Sequence, residues 1–290
     1  MNFLKKITKS DKSISYKSSN IQKISLEKLK VNPIPNRKNE VWRLTNNSKF
    51  SRFLDFKFSN DFHHPEIPGL TSIQNIYRIF IGENKKIQLK ERDWEIKELE
   101  EQEILNYLKQ KIIDYDTTQN WSNLLNHFLT DKKNIVGLNI SGKKIPHLEI
   151  ICNSMNNLLN SKTLIICIEK DTTVNISQIN IGDNNSALST SSYFDIGENS
   201  IVNHGIISFG KNKSNIINTL NVWQHKHSEY NLGSLQFEYD FGRLEISINQ
   251  VEGNAKTNIK GIQITKHNEQ ISTYANIAFN GPNGFLDQLN

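Results

Sequence analysis

Cysteine is scarce in this chain: its 290 residues contain two, Cys152 and Cys167. Both lie within apolar runs, in which we expect buried free thiols rather than a disulfide. Two thiolates at this spacing cannot alone complete a tetrahedral zinc site or an iron–sulfur site. Glycine and proline are also few, at 14 and 6. Asn, Lys and Ile are used so heavily that a single Lys or Asn carries little functional weight.

Long apolar runs are missing as well. The lysines near the N-terminus are not followed by the apolar core of a signal peptide, and no stretch approaches the length of a membrane span. We therefore expect a cytoplasmic protein without a membrane partner.

The sequence also lacks the motifs of nucleotide hydrolysis and nucleophilic catalysis. It contains neither a Walker A motif nor a Gly-x-Ser-x-Gly elbow. The triplet Asp240-Phe241-Gly242 stands without the other protein-kinase motifs, and we interpret it as a chance match. The sequence thus predicts no catalytic residue, and any use of ATP would come from a partner.

Positive charge is concentrated in residues 1–30, which hold eight lysines against two acidic residues, whereas the whole chain has a formal net charge of +5. A basic arm of this kind can contact nucleic acid or an anionic membrane. This arm lacks Arg and interleaved aromatic residues. We interpret it as a solvated, partly frayed N-terminus and predict no nucleic-acid partner.

Strand patterns fill the stretch from Thr163 to Phe279. Apolar and polar residues alternate there in short runs, which Gly, Asn, Asp or charged pairs interrupt about every ten residues. A period of two places alternate side chains on one face of a strand. The two sets predicted to share a face are Leu235, Phe237 and Tyr239, and Leu244, Ile246 and Ile248.

Three architectures fit this stretch: a sandwich, a barrel and a parallel β-solenoid. No Asn-Gly or Asp-Gly hairpin turn separates the runs. The connections resemble corners instead, at residues 182–185, 197–199 and 253–254, where Gly and Asn tolerate left-handed backbone angles. The pattern favours a mainly β fold with a right-handed parallel β-helix, and a sandwich is the alternative.

The first half of the chain has a different pattern of apolar residues. Apolar residues follow helical spacing in 46–56, 99–115 and 119–131, whereas 77–82 fits a strand and the segment after His63 an irregular loop. The period changes near Val136. We therefore predict a mainly helical (α+β) N-terminal domain, residues 1–135, which includes the basic arm, and a parallel β-helix, residues 136–290.

Two histidines, His225 and His227, are candidate metal ligands. On a strand they would share one face, an arrangement that can bind a transition metal. No third ligand lies nearby in the sequence, so a solvent-facing pair is favoured and no metal ligand is assigned.

The most specific local motif is Pro-x-x-Lys-x-Glu-x-Trp-Arg-x-Thr. Its members are Pro35, Lys38, Glu40, Trp42, Arg43 and Thr45. On physical grounds alone this is a loop that enters a helix, with Trp42 in a core and Arg43 paired with a carboxylate. The motif resembles the N-terminal signature of the SufB/SufD family, the paired scaffold subunits of the SUF iron–sulfur cluster assembly machine. The runs 222–227, 241–262 and 271–290 are similar to the β-helix of SufD.

This resemblance implies a non-catalytic scaffold subunit that pairs with SufB and works with the ATPase SufC. An iron–sulfur cluster would be held at most transiently at the partner interface. Two departures from the family pattern stand out. The sequence stops at Asn290, where the family continues into SufC-binding helices, so a truncated member is expected. Phe279 stands where relatives place a functional histidine, and it cannot ligate metal.

Two other functions remain as alternatives. The first is a β-helix interaction module that has no role in cluster assembly. The second is a carbohydrate-active β-helix enzyme, which would need a cluster of Asp, Arg or Lys on one face of the solenoid. The carboxylates of this sequence are scattered, which disfavours the enzyme.

Overall fold

The computed structural model describes residues 20–32, 34–65, 75–113 and 120–289. The part of the predicted basic arm before residue 20, and part of the predicted loop after His63, lie outside these ranges. The described helices are α1 (Asn20–Val31), α2 (Asn47–Asp55), α3 (Glu101–Ile113) and α4 (Trp121–Leu129). The described strands are β1 (Lys57–Phe58), β2 (Ile76–Phe80), β3 (Gln88–Lys90), β4 (Trp94–Glu98), β5 (Ile135–Gly142), β6 (His147–Asn153), β7 (Leu158–Ile168), β8 (Thr173–Gly182), β9 (Ala187–Ile196), β10 (Ile201–Gly210), β11 (Asn215–Gln224), β12 (Glu229–Phe237), β13 (Phe241–Gln250), β14 (Lys256–Ile264), β15 (Gln270–Phe279) and β16 (Phe285–Leu289).

The strands form two sheets that the chain visits in turn. Sheet A has the order β15-β13-β11-β9-β7-β5-β4-β3, with β1 beside β7, and sheet B has the order β16-β14-β12-β10-β8-β6-β2. All pairs are parallel except β3 with β4 and β4 with β5. From β5 onwards, successive strands alternate between the sheets, so the chain winds around one core. The predicted parallel β-helix is confirmed.

Each turn of the solenoid has a constant length through its central part. Asn203 lies beside Asn175 and Asn231, and the amide groups of these neighbours bond across a separation of 28 residues. Each turn therefore contains two strands and two corners. A residue with positive φ recurs at the corners: Asn157, Asp171, Asn185, Asn199, Lys213, His227, Asn254, His267 and Asn283. The three predicted corner segments are confirmed, because each contains one of these residues.

The prediction that Leu244, Ile246 and Ile248 share a face is confirmed, whereas for the other set it holds for Leu235 and Phe237 but not for Tyr239. Leu244, Ile246 and Ile248 of β13 all point into the core and are buried. On β12 the inward residues include Tyr230 and Leu232, whereas Leu235 and Phe237 lie on the outer face. Tyr239, the third residue of the predicted face, is buried but follows the end of β12.

The helices pack outside sheet A. Helix α4 contacts β7, β9 and β11, and α2 contacts β13. The three predicted helices correspond to α2, α3 and α4, and the predicted strand at 77–82 corresponds to β2. Part of the predicted frayed arm is instead the regular helix α1, whose buried Ile21 and Leu29 lie about two turns apart on the same face. No described helix is long and apolar enough to cross a membrane.

The N-terminal segment also contributes strands to the solenoid. Strand β2 continues sheet B beside β6, and β4 continues sheet A beside β5. Their side chains Ile79 and Ile96 belong to the same buried cluster as the core of the later turns. The predicted boundary at residue 136 stays a prediction.

Candidate functional site

The motif at residues 35–45 lies against the outside of strand β13. Trp42, in a 3₁₀ turn, is buried, and its ring lies 4.8 Å from Phe50 of α2 and 6.3 Å from Trp121 of α4, measured between centroids. Phe50 in turn lies 6.2 Å from Phe241 of β13. The aromatic group thus joins the motif, two helices and the solenoid in one apolar contact, as expected for Trp42.

Arg243 of β13 makes the central polar contacts of this region. Its guanidinium group donates hydrogen bonds to the carbonyl of Val41 at 2.8 Å and to Oγ1 of Thr45 at 3.3 Å, and it lies 4.0 Å from the ring of Trp42. It also donates to Glu245 at 2.5 Å. Glu245 accepts a further bond from Ser122 of α4 at 3.0 Å. Arg243 and Glu245 are both buried, so they form an ion pair that water does not screen.

The predicted residues of the motif divide into two groups. Pro35, Trp42 and Thr45 are buried, whereas Lys38, Glu40 and Arg43 are exposed. The expected pairing of Arg43 with a carboxylate is wrong, because no ion pair of Arg43 is found within the described ranges. Arg243 holds that role instead. It lies 200 positions further along the chain, so local spacing could not reveal it, although charged residues at 243 and 245 on one face of a strand were a signal.

A second set of contacts holds the end of the motif to the corner between β12 and β13. Helix α2 begins at the Asn46 cap, whose side chain accepts the backbone N–H groups of Ser48 and Lys49. Lys49 and Arg52 of the same helix each lie 2.5 Å from Asp240. Burial opposes ionisation of Asp240, but the hydrogen bonds from the two cations outweigh it and hold its pKa below the ordinary value.

Gln270, the first residue of β15, extends this contact. Its side-chain oxygen accepts the backbone N–H of Asn46 at 2.9 Å, and its amide donates to the carbonyl of Leu44 at 2.7 Å. The motif is therefore bonded to two neighbouring strands, β13 and β15, near the C-terminal end of the solenoid.

The cysteines and histidines considered as candidate ligands are not part of these contacts. Cys152 is buried in the core and Cys167 is half-buried, and burial raises the pKa of each thiol to about 12. His225 and His227 lie at a corner rather than on a strand, so the expectation that they share a strand face is wrong. His225 lies between Asp195 at 3.1 Å and Glu252 at 3.5 Å. Within the described ranges, no three or more His, Cys, Asp or Glu side chains are grouped to hold a metal ion.

The last two described turns of the solenoid, here called the open end, carry exposed apolar side chains. Strands β15 and β16 each have one neighbour in their sheet within the described part of the chain. Large apolar side chains on the last two turns are exposed there: Ile262 (63%), Ile264 (50%), Phe279 (47%), Phe285 (52%) and Leu289 (67%). An edge with free backbone groups and apolar side chains is a template for strand addition.

Comparison with known families bears on this half of the chain. The family model described as "SUF system FeS cluster assembly, SufBD core domain" matches residues 150–290. The solenoid is similar to a SufBD core domain. The matched segment runs from β6 to the end of β16, and so includes Arg243, Asp240 and the open end. The similarity to the SufBD core domain supports a relationship to the SufB/SufD family without separating SufB from SufD. No curated protein and no solved structure matches the chain significantly.

Proposed function

We propose that this chain is a non-catalytic scaffold subunit of a SUF iron–sulfur cluster assembly complex, of the SufD type. It would pair with SufB and work with the ATPase SufC in the cytoplasm. The observation that carries the proposal is the match of the solenoid to the SufBD core domain. The motif at residues 35–45 supports it, because the contacts of Trp42 and Thr45 tie the N-terminal segment to that matched region.

We assign to SufB the surface that β15, β16 and their exposed apolar side chains form at the open end. Edge strands β15 and β16 would add a strand of the partner through backbone hydrogen bonds, while Phe279, Phe285 and Leu289 would lose their contact with water. In this proposal the iron–sulfur cluster is cargo held transiently at the interface, and its ligands come chiefly from SufB.

The test is co-expression of the chain with SufB and SufC from the same source, followed by affinity purification of the complex. The double variant Phe285→Asp with Leu289→Asp places charge on the open end. The control is Ile201→Asp, a partly exposed residue at the start of β10, away from that end. We expect the wild type and the control to recover SufB, and the double variant to recover about tenfold less.

Two results would count against this assignment. Equal loss of SufB in the control and in the double variant would remove the open end as the interface. If the wild-type chain recovers neither SufB nor SufC, the chain is better described as an interaction module without a role in cluster assembly.

A further inference from the structure

A cleft of about 570 Å³ opens beside β2, the last described strand of sheet B on the side away from the proposed SufB surface. It lies between β2, the loop that leads from Gly82 to Ile87, and the start of β5. Its lining is apolar in part: Ile79, Ile87 and Val136, with the rings of Tyr77 and Phe80. A cleft of this size is within the range that holds a small organic ligand.

The rest of the lining is strongly basic. Lys85 and Lys86 stand on the loop, Lys132 and Lys133 stand on the 3₁₀ turn before β5, and Arg78 stands on β2. The acidic residues of the lining are Glu83 and Glu98. The lining therefore holds five positively and two negatively charged residues, whereas residues 31–290 as a whole carry a net charge of −1.

The protein itself neutralises two of these positive charges, which leaves an excess of one among the lining residues and their partners. Arg78 pairs with Glu149, and Lys132 pairs with Glu101 at 2.5 Å. Glu98 accepts the backbone N–H of Ile87 at 3.2 Å, and Glu83 faces His64 at 3.6 Å. For Lys85, Lys86 and Lys133, in contrast, no carboxylate partner is found in the part of the chain that the structure describes. Three ammonium groups on two walls of one cleft are thus available to an anion.

A buried cation behind one wall adds to the positive potential. Lys162 of β7 is almost fully buried, and its ammonium group donates to the side-chain oxygen of Asn134, the residue after Lys133. Gly82, which lines the cleft, has a φ of 111°, and a Cβ atom built on it would lie 2.8 Å from that ammonium group. The positive φ favours glycine at this position, and the missing Cβ leaves room for that ammonium group beside the wall. Buried charge acts over a longer range than exposed charge because water screens it less.

We propose that this cleft binds a small phosphate-bearing ligand. The phosphate groups lie between Lys85 and Lys86 on one wall and Lys133 on the other, and the body of the ligand covers the apolar floor at Ile79, Ile87 and Val136. Lysine is a point-charge ligand for phosphate, and several lysines suit a group with more than one negative charge. The floor favours an organic phosphate over inorganic phosphate. This inference stands independently of the proposed scaffold function.

The test is isothermal titration calorimetry of the purified chain with pyrophosphate and with ADP. The cleft variant is Lys86→Gln with Lys133→Gln, and the matched control is Lys109→Gln with Lys170→Gln, two exposed lysines outside the cleft. We expect ADP to bind more tightly than pyrophosphate, because its base adds contact with the floor. The cleft variant should weaken both by about tenfold or more, and the control should leave both unchanged.

The salt dependence of binding and competition with larger ligands provide two further tests. Raising the NaCl concentration from about 50 mM to about 300 mM should weaken both ligands in the wild type and change the cleft variant less. If neither pyrophosphate nor ADP binds, the proposal is wrong. It is also wrong if the control variant weakens binding as much as the cleft variant does. If a single-stranded RNA or an acidic peptide binds at these lysines and pyrophosphate does not displace it, the site is macromolecular and the proposal is wrong.

Discussion

Arg243 connects three separate parts of the chain through one side chain. It bonds the motif at Val41 and Thr45, covers the ring of Trp42 and pairs with Glu245, which holds Ser122 of α4. A buried ion pair costs desolvation of both groups, so its net contribution to stability is small. Removal of one partner is different, because the other charge is then buried without compensation.

We therefore expect Arg243→Ala to lower the free energy of unfolding by about 3–5 kcal/mol, because Glu245 is left buried and unpaired. Replacing both residues, as Arg243→Met with Glu245→Leu, should cost clearly less than the single change. The measurement is urea denaturation followed by circular dichroism. Arg52→Ala is the control, since it removes an exposed partner of Asp240 and should cost less than about 1 kcal/mol. A double variant no more stable than Arg243→Ala would contradict this account.

Lys162 makes stability depend on pH. Burial lowers its pKa to about 8, from an ordinary value of 10.5, although Cys152 and Asp131 act in the opposite direction. Between these two values the folded chain has released the proton and the unfolded chain still holds it. The unfolded state then binds more protons, so the contribution of Lys162 to the free energy of unfolding rises with pH in this window.

The corresponding prediction compares the wild type with Lys162→Met. Between pH 7 and about pH 9.5, the wild type should gain about 2 kcal/mol relative to the variant, at 1.36 kcal/mol for each pKa unit crossed. Thermal or urea unfolding at several pH values measures the difference in the free energy of unfolding between the two proteins. The titration of other groups cancels in this difference. The exposed Lys170→Met should show no such change. A constant difference between wild type and Lys162→Met would mean that the ammonium group is not desolvated.

At the scale of the element, β13 and β12 show what a period of two can reveal. The residues of β13 that alternate with Leu244 and Ile246 are Arg243, Glu245 and Ser247, so the apolar face is clear from the sequence. On β12 both faces carry apolar residues, and the inward face includes the polar Ser234 and Gln236. The sequence could therefore locate β12 but could not assign its faces. Helix α1 was missed for a related reason, since its lysines obscure the buried Ile21 and Leu29.

The inward assignment of β13 makes a direct prediction. Ile246→Ala should lower the free energy of unfolding by about 2–5 kcal/mol, because it leaves a cavity in a close-packed core. Ile262→Ala is the matched control: the same change on the outer face of β14, at a side chain that is 63% exposed, should cost less than about 0.5 kcal/mol in the isolated chain. Similar losses in the two variants would show that the strand phase is wrong.

The candidate site, too, could be predicted from the sequence only in part. Local spacing identified the motif and placed Trp42 in a core, because its signals lie within eleven residues. The partners of the motif, Arg243 and Gln270, come from strands about 200 residues later, as does Asp240, the corner residue that holds helix α2. A contact that is created by winding the solenoid cannot be read from the spacing of the motif itself.

At the scale of the whole molecule, the two halves share buried surface. Strands β2 and β4 add side chains to the core of the solenoid. All nine residues of α4 are buried, and Asn126 donates to Ser161 and Ser189 on two successive strands of sheet A. Solenoids can unfold turn by turn, because each repeat contacts its neighbours alone. Here α4 spans β7, β9 and β11, so the loss of one turn disturbs the helix and its neighbours together.

We therefore expect the described halves to unfold in one cooperative transition, although the sequence predicts two domains. Three of the four tryptophans, Trp42, Trp94 and Trp121, lie before residue 136, so tryptophan fluorescence reports chiefly on the N-terminal segment. Far-ultraviolet circular dichroism reports chiefly on the strands of the solenoid. The two urea curves should coincide, and residues 136–290 expressed alone should be destabilised, since the outward apolar face of sheet A would meet water. Two separated transitions, with a stable fragment, would instead establish the boundary at residue 136 as a domain boundary.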